Sequence, residues 1–406
     1  MRPQAHTAGN TGGQAGDLSR TGAGSGEAMD CGRRPRVLHF VTGGFSGATA
    51  VAVDLVRGSR ASGRFDPLLV LRRKRQTPPQ RVQALREEGL ALDLVPGFAH
   101  VATVAALVRV CRRFRPDVLV AHGFSEHLWG RYAGLLAGVP HLVHVEHNSR
   151  ERYTAWRAAQ ARWLAARTHA IVGVSEGVRG SLLALGMPAA RTLAIDNGIR
   201  LEPFVQGDRP HAARSRQVVM AARFARQKDP ATLIRAAARL RARGIELPVL
   251  LAGGGQPRLR REAEQLATSL GLGTQVRFLG VHGDMPGLLC ASTLHVLSTH
   301  YEGMPLALVE AMAAGCAVAG SAVPGVRELL REGVDGRLFP EGDDAALAAI
   351  LQAWWQEPLQ AERLGRAARA RAQAEFGLGR MTARYEALFE RLLGGPGGSP
   401  GIGPPR

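Results

Sequence analysis

Two glutamates, Glu302 and Glu310, have seven residues between them in the segment YEGMPLALVEAMAAG, which follows a short apolar strand. Pro305 suits the first position of a helix, because its missing N–H would have no partner there. The start of a helix carries unpaired N–H groups and partial positive charge, so it can hold a phosphate group. An ionised carboxylate only accepts hydrogen bonds. We therefore expect a phosphate at the helix start and sugar or ribose hydroxyls on the two glutamates.

A glycine-rich loop, Thr42–Gly47, ends the first strand and leads into a helix. It does not have the G-x-G-x-x-G spacing of a dinucleotide-binding loop, which disfavours a dehydrogenase. A loop of this kind is common in α/β proteins. On its own it is therefore a weak signal of a binding site.

Several histidines lie between positions 122 and 147, namely His122, His127, His141, His144 and His147. Side chains alternate between the two faces of a strand, so His144 should point away from His141 and His147. The three therefore do not converge on a metal ion, and the sequence has no D-x-D pair. His147 ends its strand, where ligand-binding residues of such folds lie. We expect His147 in the site and catalysis without a metal, with His122 as a weaker candidate.

The elements that must position these residues alternate between strand and helix along the chain. Strand-like runs occur at 36–41, 67–71, 91–95, 117–121, 141–146, 170–174, 217–222, 247–252, 275–279, 294–297 and 316–319. Helix-like segments separate most of them, which predicts parallel sheets covered by helices. We expect two doubly wound sheets, joined near 196–214, with ligands at the carboxyl ends of their strands.

The composition excludes some classes of function. The 406-residue chain has a net charge of +18, and Lys74 and Lys228 are its only lysines. Such charge favours anionic partners. The arginine clusters 72–75 and 109–115 are either solvated surface charge or sites that dock to anionic lipid. Nucleic acid is disfavoured, because no aromatic residues interleave with the arginines to stack bases.

The sequence shows neither an apolar run that could span a membrane nor a signal peptide, so we expect a cytoplasmic protein with peripheral membrane contact. The four scattered cysteines predict no zinc site. The glycine-rich ends, residues 1–34 and 394–406, are predicted to be disordered.

The segment around Glu302 and Glu310 resembles the E-x7-E segment of retaining glycosyltransferases of family 4, which have the GT-B fold. Gly303, Pro305 and Gly315 are in register with that pattern. The resemblance implies two Rossmann-like domains facing across a cleft. We place an acceptor-side domain at 35–200, a nucleotide-sugar domain at 215–375, and a helix that crosses back to the first domain at 376–393.

The resemblance also implies roles for individual residues. Arg223 and Lys228 match two diphosphate-binding cations, although Ala222 replaces the family's glycine before the arginine. Glu310 would bind ribose, Glu302 would bind the donor sugar, and His147 would lie beside the reacting sugar. The remaining donor-binding candidates are Gly43, Gly44, Ser46, Gly47, His282, Gly303, Met304, Pro305 and Leu306.

The implied reaction transfers a sugar from a nucleotide-sugar to a hydroxyl of a glycan or lipid-linked acceptor with retained configuration. It would need no cofactor and no metal, and would serve the synthesis of a bacterial surface polysaccharide. Two alternatives stay open. One is a nucleotide-sugar 2-epimerase of the same architecture, and the other is a non-catalytic module that binds anionic glycan or lipid.

Overall fold

The computed structural model describes residues 33–75, 77–150 and 153–394. The predicted disordered N-terminal extension, 1–34, lies outside the described residues except for its last two positions. Of the predicted disordered tail, 394–406, only Gly394 is described.

The first sheet has seven parallel strands in the order β3-β2-β1-β4-β5-β6-β7. Its strands are β1 (Arg36–Thr42), β2 (Asp66–Arg72), β3 (Leu92–Val95), β4 (Val118–His122), β5 (His141–Glu146), β6 (Ala170–Gly173) and β7 (Thr192–Ala194). Its helices are α1 (Gly47–Ser62), α2 (Pro79–Glu87), α3 (His100–Phe114), α4 (Glu126–Ala137), α5 (Ala155–Ala165) and α6 (Glu176–Ala184). Helices cover both faces, so the central strands are buried along nearly their whole length rather than on alternate residues.

The second sheet has six parallel strands in the order β10-β9-β8-β11-β12-β13. Its strands are β8 (Ser215–Ala221), β9 (Val249–Ala252), β10 (Val276–Gly280), β11 (Ser292–Leu297), β12 (Ala317–Ser321) and β13 (Arg337–Phe339). The helices of this half are α7 (Pro230–Arg241), α8 (Pro257–Ser269), α9 (Met285–Cys290), α10 (Leu306–Ala313), α11 (Pro324–Leu329), α12 (Asp344–Gln356), α13 (Pro358–Glu375) and α14 (Leu378–Leu392).

The prediction of two parallel-sheet, Rossmann-like halves is confirmed. Two strands, β7 and β13, were not predicted, because three residues are too few to show a pattern. Pro305 precedes the first residue of α10 rather than occupying it. The first sheet lies within 35–200 and the second within 215–375, the ranges proposed for the two domains.

Strand order reverses between β1 and β4 in the first sheet and between β8 and β11 in the second. Ligands of open α/β sheets bind beside such reversals, at the carboxyl ends of the strands. The loops after β1, β8 and β11 carry Ser46, Lys228 and Glu302, and the loop after β4 leads into Glu126 at the start of α4. The fold therefore brings the sequence-predicted segments to one cleft.

The last helix, α14, packs on α1 of the first half of the molecule. The ring of Phe389 meets the edges of Phe65 and His39, with centroid distances of 5.6 and 6.3 Å. Glu386 accepts hydrogen bonds from Ser62 and Arg64 on the same surface. The C-terminal helix thereby completes the core of the first half.

Candidate active site

A cavity of about 590 Å³ lies between the carboxyl ends of the two sheets. Its wall in the first half includes Thr42, Phe45, Ser46, Gly47, His122, Gly123, Phe124, Glu126, His147 and Asn148. Its wall in the second half includes Ala222, Arg223, Lys228, Gly253, His282, Glu302, Gly303, Met304, Pro305, Leu306 and Glu310. Every predicted site residue except Gly43 and Gly44 lines this cavity.

Lys228 and Glu302 form an ion pair on the cavity wall, and both side chains are largely buried. The carboxylate of Glu302 also accepts a hydrogen bond of 2.8 Å from the Thr299 hydroxyl. The loops after β8 and β11 bring the two residues together, since these strands are neighbours in the sheet. The lysine and the glutamate are therefore already paired before any ligand binds.

Arg223 is exposed on the same wall, and the described residues offer its guanidinium no hydrogen-bond or ion-pair partner. The backbone N–H groups of Leu306 and Ala307, at the start of α10, likewise donate to no group in the described parts of the chain. A free cation and two free N–H donors thus face one cavity. Such a set suits a phosphate or diphosphate.

Glu310, in α10, separates this cavity from a second one of about 430 Å³, which Asp54 and Arg200 also line. Burial, reinforced by the charge of Asp54, raises the pKa of Glu310 to about 7, although Arg200 opposes the shift. No hydrogen bond from the described residues reaches this carboxyl group. It can therefore accept hydrogen bonds from a ligand.

Gly303 is tightly enclosed where the two halves of the molecule meet. A Cβ atom added there would lie 2.2 Å from the carbonyl oxygen of His147, so only glycine fits. The hydroxyls of Ser149 and Ser175 donate to the carbonyl oxygens of Glu302 and Gly303, at 2.6 and 3.0 Å. These contacts fix the loop that carries Glu302 against β5.

Three histidines form a hydrogen-bonded chain that ends in the cavity. His39 Nδ1 lies 3.1 Å from His122 Nε2, and His122 Nδ1 lies 3.2 Å from His147 Nε2. Burial lowers the pKa of His39 and of His147 to about 3, and lowers the pKa of His122 well below its usual value. The rings are neutral, and each contact needs one N–H and one lone pair. The tautomer of His147 therefore depends on the other two rings.

His144 faces away from this chain, as the strand alternation predicts, and stacks on His127 at 4.1 Å. Together with Glu146, these histidines place three potential metal ligands within 4.8 Å of one another, a cluster that the sequence analysis missed. However, Arg131 donates to His127 Nδ1 at 2.6 Å, and Tyr153 lies 2.9 Å from its Nε2. Both nitrogens of His127 are therefore engaged by hydrogen bonds.

The predicted glycine pair lies outside the cavity wall. Gly43 is buried against the loop after β2, where its N–H donates to the Arg72 carbonyl at 2.8 Å, and Gly44 is exposed beside it. A Cβ atom on Gly43 would lie 2.8 Å from both that oxygen and Thr77 Oγ1. Close backbone packing, rather than a ligand, accounts for the glycine at position 43.

A second charged group, which was not predicted, reaches the wall in the first half through Glu126. The buried carboxylate of Glu126 meets Lys74 Nζ at 2.8 Å and Arg72 Nη1 at 3.4 Å. Arg72 was predicted to be solvated or to touch lipid, but its side chain is only 4% exposed. In the other cluster, Arg109, Arg112, Arg113 and Arg115 are exposed. None of the described helices is long and apolar enough to cross a membrane.

Two family models match the chain. Residues 45–203 match the model "Glycosyltransferase Family 4", and residues 205–371 match "Glycosyl transferases group 1". The D-inositol 3-phosphate glycosyltransferase 1 of Catenulispora acidiphila is 30% identical over 352 residues, covering 77% of this chain and 84% of the relative. An Escherichia coli enzyme, UDP-Gal:alpha-D-GlcNAc-diphosphoundecaprenol alpha-1,3-galactosyltransferase, is 26% identical and covers 62% of this chain and 69% of itself.

Among solved structures, the chain is similar to Anabaena Alr3699/HepE in complex with UDP and glucose. The TM-score is 0.77 at 21% identity, over 88% of this chain and 99% of the other. Sucrose-phosphate synthase from Thermosynechococcus elongatus gives a TM-score of 0.74 at 21% identity, over 89% of this chain and all of the other. These likenesses establish the GT-B fold. With both family models matched and a relative 30% identical over most of its length, the chain belongs to the family 4, or group 1, glycosyltransferases.

Proposed function

We propose that this glycosyltransferase moves a sugar from a nucleoside-diphosphate sugar to an acceptor hydroxyl, with retained configuration and without a metal ion. One observation carries the proposal. Arg223, the Lys228–Glu302 pair and the free N–H groups at the start of α10 line one cavity with His147. That combination suits a reaction in which a diphosphate leaves a sugar.

The chemical difficulty lies in the leaving group. As the bond between the anomeric carbon and the phosphate oxygen breaks, negative charge grows on the diphosphate and the sugar gains oxocarbenium character. Arg223 and Lys228, with the N–H groups of Leu306 and Ala307, supply donors fixed before the reaction begins. Such preorganised donors are each worth about 3–4 kcal/mol of transition-state stabilisation.

Glu302 and Glu310 take different roles in this proposal. Glu302 accepts hydrogen bonds from Lys228 and Thr299, and its remaining lone pairs can accept from donor-sugar hydroxyls. Glu310 accepts from ribose hydroxyls. His147 presents a neutral imidazole beside the sugar, held in one tautomer by His122.

Retention follows from attack on the face that the diphosphate leaves. The acceptor oxygen bonds to the anomeric carbon, the carbon–oxygen bond to the phosphate breaks, and the acceptor proton passes to a phosphate oxygen. The engagement of Glu302 with Lys228 supports this route, because a paired carboxylate is a poor nucleophile. In this proposal Arg223 and Lys228, rather than a metal ion, offset the negative charge of the diphosphate.

Two similar proteins suggest which donors and acceptors to test first. Alr3699/HepE was solved with UDP and glucose, and the E. coli relative is named for a UDP-galactose donor and a diphosphoundecaprenol-linked acceptor. We propose a UDP-sugar donor and a glycan or lipid-linked acceptor at the membrane surface, for a bacterial surface polysaccharide.

The test begins with thermal unfolding of the wild type and of Arg223→Ala in the presence of UDP, GDP, ADP, CMP or NAD. A ligand at a hundred times its dissociation constant adds about 2.7 kcal/mol of stability. We expect one nucleoside diphosphate to stabilise the wild type, and to stabilise the variant much less. Arg73→Ala, which removes an exposed charge away from the cavity, should respond as the wild type does.

Product analysis then distinguishes the reactions. Transfer with retained configuration in the presence of a chelator supports the proposal. A donor epimerised at its second carbon without an acceptor would establish an epimerase instead. A trapped covalent glycosyl-enzyme would refute the same-face route, and stabilisation by NAD alone would refute the donor site.

A further inference from the structure

Behind the cavity wall of the first half, cations outnumber carboxylates. Glu126 lines the cavity, and a single oxygen, Oε1, meets both Lys74 Nζ at 2.8 Å and Arg72 Nη1 at 3.4 Å. One carboxylate can offset only one of these two charges. The three residues therefore leave one positive charge beside the cavity.

A third cation adds to this excess. The guanidinium of Arg157, at the start of α5, lies 5.2 Å from the ring centroid of Phe124, which also lines the cavity. Burial first, and then the charges of Arg72, Arg157 and Lys74, lower the pKa of the neighbouring His100. Among the described side chains here, the three cations and the single carboxylate of Glu126 leave an excess of two positive charges.

Arg72 also organises the adjoining loop. Its Nη2 lies 2.9 Å from His100 Nδ1 and 3.5 Å from the Gly97 carbonyl oxygen, and its Nε has no partner among the described residues. Between these contacts the loop presents Phe98, which is 84% exposed. Arg72 is therefore fixed by burial, while Lys74 is 38% exposed and can reach a ligand.

We propose that Lys74 and Arg157 bind a phosphate group carried by the acceptor, with Glu126 and Arg72 as positioning residues. The proposal rests on the proposed transferase function and specifies its acceptor. The excess of two positive charges matches a phosphate monoester or a diphosphate, and charge-assisted hydrogen bonds are the strong ones for such groups. The site adjoins the cavity that His147 and Glu302 line, because Lys74 contacts Glu126 and Arg157 contacts Phe124.

The binding test uses inorganic pyrophosphate as the probe. The protein is first saturated with whichever nucleoside diphosphate fills the donor site, and pyrophosphate is then titrated by calorimetry. We expect a second anion to bind the wild type. Because hydrogen bonds to charged groups are worth roughly tenfold to a hundredfold in affinity, Lys74→Ala and Arg157→Ala should each weaken it by at least ~10-fold. Arg73→Ala, which removes an exposed charge from the same loop, is the matched control and should change it less than twofold.

The kinetic test compares acceptors that share one sugar: the free sugar, its 1-phosphate and its prenyl-diphosphate conjugate. Lys74→Ala and Arg157→Ala should raise the KM for the phosphorylated acceptors by at least ~10-fold, while leaving the KM for the donor and its slow hydrolysis unchanged. Phe98→Ser distinguishes a lipid-linked phosphate from a free sugar phosphate, because it should raise the KM only for the prenyl-linked acceptor.

Three results would overturn the proposal. They are the absence of a second bound anion, equal use of the phosphate-free sugar, or a loss in Lys74→Ala no greater than in Arg73→Ala. The proposed transfer reaction would survive each of them, since donor binding and turnover are measured separately. If no nucleoside diphosphate binds at all, it is the transferase proposal that fails.

Discussion

The chain's two lysines pair with buried glutamates on opposite walls of the cavity, and the two pairs are built differently. Lys228 has Glu302 largely to itself, with Thr299 as the additional donor. Lys74 shares Glu126 with the buried Arg72. In the second half the pair is balanced and the excess cation, Arg223, is exposed. In the first half the excess cation is Arg72, which contacts the same carboxylate as Lys74. The same residue types thus build a balanced wall and a positively charged one.

The largest effect should come from breaking the balanced pair. Lys228→Met leaves Glu302 buried without its cation, which typically costs about 3–5 kcal/mol of unfolding free energy. Loss of a preorganised donor should also lower kcat/KM by ~10²–10³-fold. Denaturant unfolding and transfer assays measure the two effects.

The matched variants separate stability from catalysis. Lys228→Met combined with Glu302→Gln should recover most of the stability but none of the activity. Lys74→Met should cost only about 0–1 kcal/mol, because Glu126 keeps Arg72 and the lysine is partly exposed. Equal destabilisation by Lys74→Met and Lys228→Met would show that the two pairs do not differ.

Substitutions of Arg223 and Arg72 should also differ in whether they lower activity or stability, with smaller effects than that of Lys228→Met. Arg223→Ala removes an exposed cation without a partner among the described residues, so unfolding free energy should change by less than about 0.5 kcal/mol. Its kcat/KM should nevertheless fall by ~10²-fold. Arg72→Met removes a buried, hydrogen-bonded group and should cost about 1–3 kcal/mol. An Arg223→Ala variant that transfers sugar at the wild-type rate would contradict a diphosphate site here.

The smallest effect should come from pH. Glu126 has two cations beside it, whereas Glu310 is half-buried without a hydrogen-bonding partner among the described residues, and its pKa is about 7. The ionised form is the better acceptor for ribose hydroxyls and is lost as the pH falls through 7. Affinity for the nucleotide-sugar should therefore drop up to ~10-fold between pH 8 and pH 6.

Calorimetry at the two pH values measures this drop, and the intact nucleotide-sugar avoids the titration of a terminal phosphate. Glu310→Gln should bind more weakly at pH 8 and lose the pH dependence. An unchanged pH dependence in that variant would assign the titration to another group.

Much of the second half of the site was predictable because its signals are local. Glu302, Pro305 and Glu310 lie on one strand–turn–helix unit, so their spacing carries the geometry. Arg223 and Lys228 lie on the loop after the neighbouring strand β8. The long apolar runs likewise predicted eleven of the strands to within about two residues.

The charged group of Arg72, Lys74 and Glu126 in the first half was not predictable, because its contacts join distant parts of the chain. Arg72 and Glu126 are 54 residues apart, and nothing local distinguishes the buried Arg72 from the exposed Arg73 and Arg75. The histidine chain had a usable signal. His39, His122 and His147 lie in or directly after β1, β4 and β5, which are consecutive strands in the sheet. Sequence periodicity does not give the order of the strands in the sheet. Knowing that order would have shown that the three histidines lie side by side.

The helix α14 also affects the order in which the protein can be made. The core around Phe65 and His39 leaves the ribosome before the second sheet is made, but its covering residue Phe389 is translated after both sheets. Until α14 is made, the first half exposes the apolar surface that Phe389 later covers. Because α14 comes after both sheets, the first half reaches its final packing only after the second sheet has been synthesised. Premature termination before Leu378 would therefore damage the half of the molecule made first.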